Sequence, residues 1–293
     1  MQNKLEKTIG EKLKEIDNLR YYDVSDKNPL MVKLRISDKR KLYHYTSLES
    51  GKNILKSSSF WVTRCDGLDD KTEIKYISHV LNGVIMYFEQ NKDLYCIRAK
   101  EKYTIIEIII RTLKALSDMY KKGAPIIGAN LYLLSLSENK NNKYLKENYC
   151  RNNGIILEFK NDIQELFGSD DKIHVKLTAK VEYSYRKQME LIIEDINEFF
   201  SEFLANLINE REVNFVDIFE TIRTVIYTKV INYSFFFKNE YFSEEEEYRV
   251  AFIVKDNNSM IKYRMKSGRP ISYIVANIKN KNTFLRPIYF TAC

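Results

Sequence analysis

Over the last quarter of this chain, strand-like segments follow one another with nothing helical between them: 245–254, 260–265, 271–278 and 284–290. Earlier strand signals at 42–46, 60–63, 130–137, 154–159 and 173–183 are interleaved with helical blocks of unequal length. No regular strand–helix–strand spacing runs through the series, so the expected class is α+β.

The helical blocks carry apolar stripes three and four residues apart. Leu5, Ile9, Leu13, Ile16 and Leu19 form one near the N-terminus, and Ile74, Ile77, Leu81, Val84, Ile85 and Phe88 form another over 72–90. A short helix is expected from Ser47 to about Lys56, and a longer one over 101–121 that ends before Gly123 and Pro125. Two more are expected over 186–237, broken near 212–214. Their stripes are Leu191, Ile196, Phe199, Phe203 and Leu207, then Phe215, Phe219, Ile222 and Ile226. With 9 Gly and 4 Pro in 293 residues, no stretch reads as a linker. The expected organisation is an N-terminal helix and connection, 1–40, followed by a single domain, 41–293, with a helical insertion at about 186–238.

Charge and cysteine content narrow the function classes. A net charge of +7 invites a nucleic-acid reading, but charges of both signs alternate along most segments, which describes a mixed solvated surface. The four cysteines are scattered without a C-x-x-C pair, and His44, His79 and His174 stand at none of the zinc spacings, so no metal site is expected. Reduced thiols, the lack of a secretory h-region and the brevity of the apolar run 105–110 point to a cytoplasmic protein that neither spans a membrane nor is exported.

Three segments could carry chemistry. In Leu42-Tyr43-His44-Tyr45-Thr46-Ser47, alternation puts His44 and Thr46 on one strand face, able to hydrogen-bond a sugar or an amide; the plainer role is a strand end whose Thr46 or Ser47 caps the next helix. In Phe60-Trp61-Val62-Thr63 the sole tryptophan could stack on a flat ring, and the acidic residues that follow (Asp66, Asp69, Asp70, Glu73) lack the regular spacing of a hard-cation site. In Ser243–Phe252, read as a strand, Tyr248, Val250 and Phe252 form a core face, with Glu245, Glu247 and Arg249 opposite. Two carboxylates held by a guanidinium can stabilise an oxocarbenium-like transition state. A solvated acidic turn entering an edge strand accounts for the same residues.

Together these segments are similar to a bacterial family known as domain of unknown function 2971. Leu42–Ser47 and then Leu68-Asp69-Asp70 with Glu73 resemble its opening; Leu134-Ser135-Leu136-Ser137-Glu138, Tyr149 and Gly154-Ile155-Ile156-Leu157 its middle; and Phe237-Lys238 with Glu245-Glu246-Glu247-Tyr248-Arg249 its ending. The chain departs from the pattern at Asp69-Asp70-Lys71, where the family has Asn-Asp-Pro, and at Lys146, where it has Trp, with Tyr144 nearby. The resemblance implies an ADP-ribosyltransferase-like split antiparallel sheet with helical insertions and NAD as substrate. It implies that Glu247 faces the nicotinamide ribose, Glu245 orients the acceptor, and His44 contacts the adenosine ribose. Trp61, the aromatic on the second strand, would pack the nicotinamide, Thr46 would line the same cleft, and Tyr149 and Arg249 would buttress it. The expected activity is that of an ADP-ribosyltransferase or NAD glycohydrolase, as a bacterial toxin or phage-defence effector with a protein or nucleic-acid acceptor. The alternative left open is a non-catalytic module that uses the same scaffold to hold protein or nucleic acid.

Overall fold

The computed structural model describes residues 41–68, 72–95, 99–122, 130–150, 153–159, 167, 173–208, 215–254, 259–266, 268–279 and 285–289. The expected N-terminal helix lies outside them, as do Asp69 and Asp70. The chain divides into two compact units, one drawing on 72–125 and 184–237, the other on 34–71, 126–183 and 238–293.

The first unit is helical. It contains α2 (Ile77–Gln90) and α3 (Ala99–Lys121), with α4 (Tyr185–Ile208) and α5 (Phe215–Phe236) supplied by a later stretch of chain. The α2 stripe is buried as its spacing predicts, and the run 105–110 is the buried flank of α3, with Glu107 the half-buried exception. The stripe of α4 is buried at Ile196 as its spacing predicts, but on either side of it the buried positions are displaced by one residue. Ile192 and Phe200 are buried, whereas Leu191 and Phe199 are only half-buried. The reason is that polar residues share the core face: Asp195 accepts from Tyr233 Oη at 2.7 Å and pairs with Lys229 at 3.4 Å, and Gln188 accepts from Tyr76 Oη. Buried polar groups that find partners are tolerated, and they hide the periodicity that apolar letters alone would give. No helix among the described residues is long and apolar enough to cross a membrane.

The second unit is a curled antiparallel sheet of nine strands, which makes the protein α+β. The strands are β1 (Leu42–Ser47), β2 (Ser59–Arg64), β3 (Asn130–Ser137), β4 (Gly154–Phe159), β5 (Ile173–Lys180), β6 (Glu247–Val254), β7 (Lys262–Lys266), β8 (Arg269–Asn277) and β9 (Leu285–Tyr289). β6 pairs with β3 along its whole length and with β5 on its other side. The free edge of β3 is then shared: β2 takes Tyr132 and Leu133, and β1 meets only Ser137. Two strands on one edge must diverge, so the sheet forks there into a β1–β4–β9 arm and a β2–β8–β7 arm.

The main core fills one face of this sheet, with Phe60 and Val62 of β2, Leu134 of β3, Leu157 of β4, Phe252 of β6 and Ile274 of β8 among its members. A smaller cluster on the other face joins Tyr43 and Tyr45 to Leu145, Cys150 and Ile156. Helix α1 (Leu48–Ser57) covers β4. Ser47 caps its N-terminus by accepting from Ser50 N–H at 3.2 Å, which fulfils the plainer reading of that segment. Gly51 lies so close to β4 that a Cβ there would overlap Ile155 Cγ2. Gly51→Ala should gain about 1 kcal/mol of helix propensity but lose 1–3 kcal/mol to overpacking, lowering the urea midpoint. In an Ile155→Ala background the same change should cost less, a coupling that a double-mutant cycle would measure.

Candidate functional site

Among the described residues Arg249 is the largest fully buried side chain, and a buried guanidinium needs a partner. Strand alternation supplies Glu247 two residues earlier on the same face. Arg249 donates to both carboxylate oxygens, Nε to Oε1 and Nη2 to Oε2, each at 2.8 Å. The fork geometry of guanidinium against carboxylate fixes both groups. Directly across β3 stand Ser135 and Ser137, paired in register with Arg249 and Glu247, and the Ser135 hydroxyl helps to stabilise the Glu247 carboxylate.

Glu245 reaches this cluster by a route that the sequence reading did not anticipate. It is not on β6. Residues Glu240–Glu245 form a 3-10 turn, and Glu246 follows in the left-handed region at φ 45°. A strand face would have put Glu245 two positions along from Glu247. Instead the reversal at Glu246 folds Glu245 back, and Lys238 ties the two acids together, donating to Glu245 Oε2 at 2.6 Å and to Glu247 Oε2 at 3.3 Å. The turn is held from both sides. Asn239 caps it, and Asn142 Nδ2 donates to the Glu244 carbonyl at 2.6 Å while its own Oδ1 accepts from Leu145 N–H. The Asn142 contact anchors the helical turn Lys143–Cys150, whose Tyr149 lies within electrostatic range of Glu245, Lys238 and Glu247. Below, Tyr183 Oη accepts from the Glu247 backbone N–H at 3.0 Å.

The site holds two carboxylates and two cations, all buried, and its electrostatics split the acids. Burial pushes the Glu247 pKa up, but the charges of Arg249 and Lys238 and the hydrogen bonds from Arg249 and Ser135 outweigh it and hold the group down at about 2. Glu245 goes the other way, raised by burial and then by the charge of Glu247, against the pull of Lys238. Tyr149 is raised to about 12 by burial and by the two acids. Glu247 itself is 3% exposed, yet Ser135, on the same face of β3, is exposed, and Tyr149 is 48% exposed.

Of the residues singled out in the sequence, Glu245, Glu247, Arg249 and Tyr149 come together here. His44 and Thr46 do not. β1 meets β3 with Tyr43 opposite Ser137, so Tyr43 and Tyr45 share the face of Glu247, and His44 and Thr46 project from the other. His44 sits at the fork. Its ring packs edge-on against Phe60 of β2 at 5.2 Å, and its Nδ1 lies 3.1 Å from the Ser135 carbonyl. A carbonyl only accepts, so Nδ1 carries the proton, and burial keeps the imidazole below its ordinary pKa and neutral. Trp61 is on the Glu247 face but on the other arm, stacked on Tyr273. Asp66 is taken up by Arg64 at 2.8 and 2.5 Å. The sequence reading gave no role to Lys238, Ser135 or Tyr183. Ser135 and Ser137 were visible as two hydroxyls on one face of a leucine-rich strand, and Lys238 as a cation just before the acidic run; nothing local marks Tyr183.

These shifts predict a pH dependence. Glu247, depressed in the folded protein, contributes stability that is full above about pH 4.5 and is lost as the pH falls from there toward 2. Glu245, raised, works in the opposite sense and regains stability as it protonates. His44, lowered, costs stability as the pH falls below its ordinary 6.5. Urea midpoints measured against pH should show a shallower acid limb for Glu247→Gln and a steeper one for Glu245→Gln, and no loss between pH 7 and 6 attributable to this position in His44→Gln. Compared with protein-family models, with curated proteins and with solved structures, the chain finds no match.

Proposed function

We propose that the Glu245–Glu247 site acts on the N-glycosidic bond of NAD, as an ADP-ribosyltransferase or NAD glycohydrolase. The observation that carries this reading is a pair of neighbouring carboxylates joined through Lys238, of which Arg249 clamps only Glu247, in a buried site with an exposed serine and tyrosine at its rim; the cations hold Glu247 down in pKa while burial and Glu247 raise Glu245. Environments that separate two acids in this way divide the chemical labour between them. The forked antiparallel sheet supports the ADP-ribosyltransferase-like form of the fold.

In this reaction the bond from C1′ to the nicotinamide nitrogen breaks. Its electron pair leaves with the ring, which becomes neutral nicotinamide, and the ribose becomes an oxocarbenium ion. Glu247 supplies a fixed negative charge for that cation. At an effective dielectric near 20, opposite unit charges about 4 Å apart attract by roughly 4 kcal/mol, about three decades in rate if felt only in the transition state. Arg249 and Lys238 offset part of that charge, so the benefit depends on Glu247 being held still as much as on its sign. Water or an acceptor then forms the new bond to C1′, and Glu245 takes the displaced proton, which its raised pKa suits it to do. The Tyr149 ring offers a surface for the nicotinamide.

A second reading has its own support. Glu247 is paired with both cations and almost wholly buried, which is also what a structural clamp on the 238–247 turn would require, leaving a non-catalytic binding module.

Nicotinamide release from NAD, followed by chromatography, separates the two. The enzymatic reading expects turnover by the wild type and a loss on the order of a hundredfold or more in kcat for Glu247→Gln, at a urea midpoint that shows the variant folded. It expects Glu245→Gln to lose the acid limb of the pH–rate profile, where protonation of the base stops turnover. A folded wild type with no release would establish the clamp.

A further inference from the structure

We infer that the face of the β2–β8–β7 arm carrying Trp61 is a binding surface for single-stranded polynucleotide. The registers place Trp61 opposite Val275 and Thr63 opposite Tyr273, with Lys262 also opposite Tyr273, Arg264 opposite Ile271 and Lys266 opposite Arg269. Directly opposed residues of antiparallel strands share a face. Trp61 and four cations therefore share one face with Tyr273, which lies buried beneath the tryptophan.

The arrangement is built rather than incidental. The Trp61 and Tyr273 rings stack with centroids 4.7 Å apart and planes 26° from parallel. The Arg264 guanidinium extends the platform, 5.8 Å from the first centroid and 5.6 Å from the second. Its Nη2 donates to Thr63 Oγ1 at 3.0 Å, which pins it. Despite this packing Trp61 remains 54% exposed, more than a core or strand-edge role requires. The charge is one-sided. β2, β7 and β8 contain no Asp or Glu, and Lys266 stands opposite Arg269 across the ladder. Alternating signs along the sequence describe a mixed surface; pairing three strands that are distant in sequence concentrates the positive ones here.

An exposed tryptophan ring backed by a buried tyrosine and a fixed guanidinium stacks bases, and the flanking lysines and arginines meet phosphates. β7 lies two strands from β2, about 10 Å, so base and backbone of the same few nucleotides are within reach of both. A duplex hides its base faces, and an anionic bilayer offers no flat ring, so the occupant is a single strand. Nothing in the platform addresses the sugar 2′-hydroxyl, so DNA and RNA should bind alike. The same face continues through Leu133, opposite Thr63, to Ser135 and Arg249, but the inference requires no NAD chemistry.

Trp61 is the only tryptophan, which makes the test direct. The full chain, without NAD, is titrated with twelve-nucleotide oligo(dT) and oligo(rU) while tryptophan fluorescence is read. Both should quench it with similar Kd, and engaging three to four phosphates should weaken binding about thirtyfold between 50 and 200 mM salt. With labelled oligonucleotide and anisotropy, Trp61→Ala should bind about tenfold more weakly and Trp61→Phe close to normally. Lys262→Ala/Lys266→Ala, on the exposed edge strand, should flatten the salt dependence and covers the case of an unfolded Trp61→Ala. The inference is overturned by no quenching at oligonucleotide concentrations on the order of 100 µM in 50 mM salt, by undiminished binding in folded Trp61→Ala and Lys262→Ala/Lys266→Ala, or by quenching with anionic vesicles and not with oligonucleotides. Its failure would leave NAD turnover untouched.

Discussion

A carboxylate buried in the middle of a sheet costs several kcal/mol unless cations and hydrogen bonds replace the water it loses, and Glu247 is buried on a strand with neighbours on both sides. Arg249 meets it from its own strand, Lys238 from the connection before the turn, and Ser135 from the strand opposite. Each of these groups in turn constrains a different piece of chain. Lys238 binds the turn at Glu245, Asn142 ties that turn to the helical segment bearing Tyr149, and the Glu247 N–H holds Tyr183. Neutralising one buried acid thus sets the position of nearly every other residue in the site.

The second organising constraint is the shared edge of β3. Because β6 occupies one side throughout, β1 and β2 must divide the other, and the backbone between their contacts needs another partner. The His44 imidazole serves the Ser135 carbonyl there and packs on Phe60, so it touches all three strands of the fork. This makes Ser135 a pivot: its side chain lies on the face of Glu247 and its carbonyl meets His44. The two residues expected to face each other across a cleft are instead joined through one strand, on opposite faces.

Much of the architecture was legible locally. The strands 130–137 and 154–159 have the bounds that alternation and turn residues predict, and the helix after Ser47 starts at its cap. The apolar face of β6, with Tyr248, Val250, Phe252 and Val254, is the one its alternation implies, and Glu247 and Arg249 lie opposite as expected. These features depend on neighbours within a few residues, where period and capping operate. The phase of α4 was misread because Gln188 and Asp195 face inward, and Glu245 was misplaced because a left-handed glutamate is rare enough that a continuous strand was the natural expectation.

By itself, then, the sequence determined the longer helices and the strands among the described residues, and that an acid and an arginine share one face of β6, since backbone periodicity and two-residue alternation are local. The tertiary structure alone decided which strand lies beside which. From that followed the recruitment of Lys238 and Ser135 to Glu247, the turning of His44 away, and the gathering of cations from β7 and β8 beside Trp61. Strand order is set by burial and charge pairing between residues far apart in the chain, and no local pattern encodes that choice.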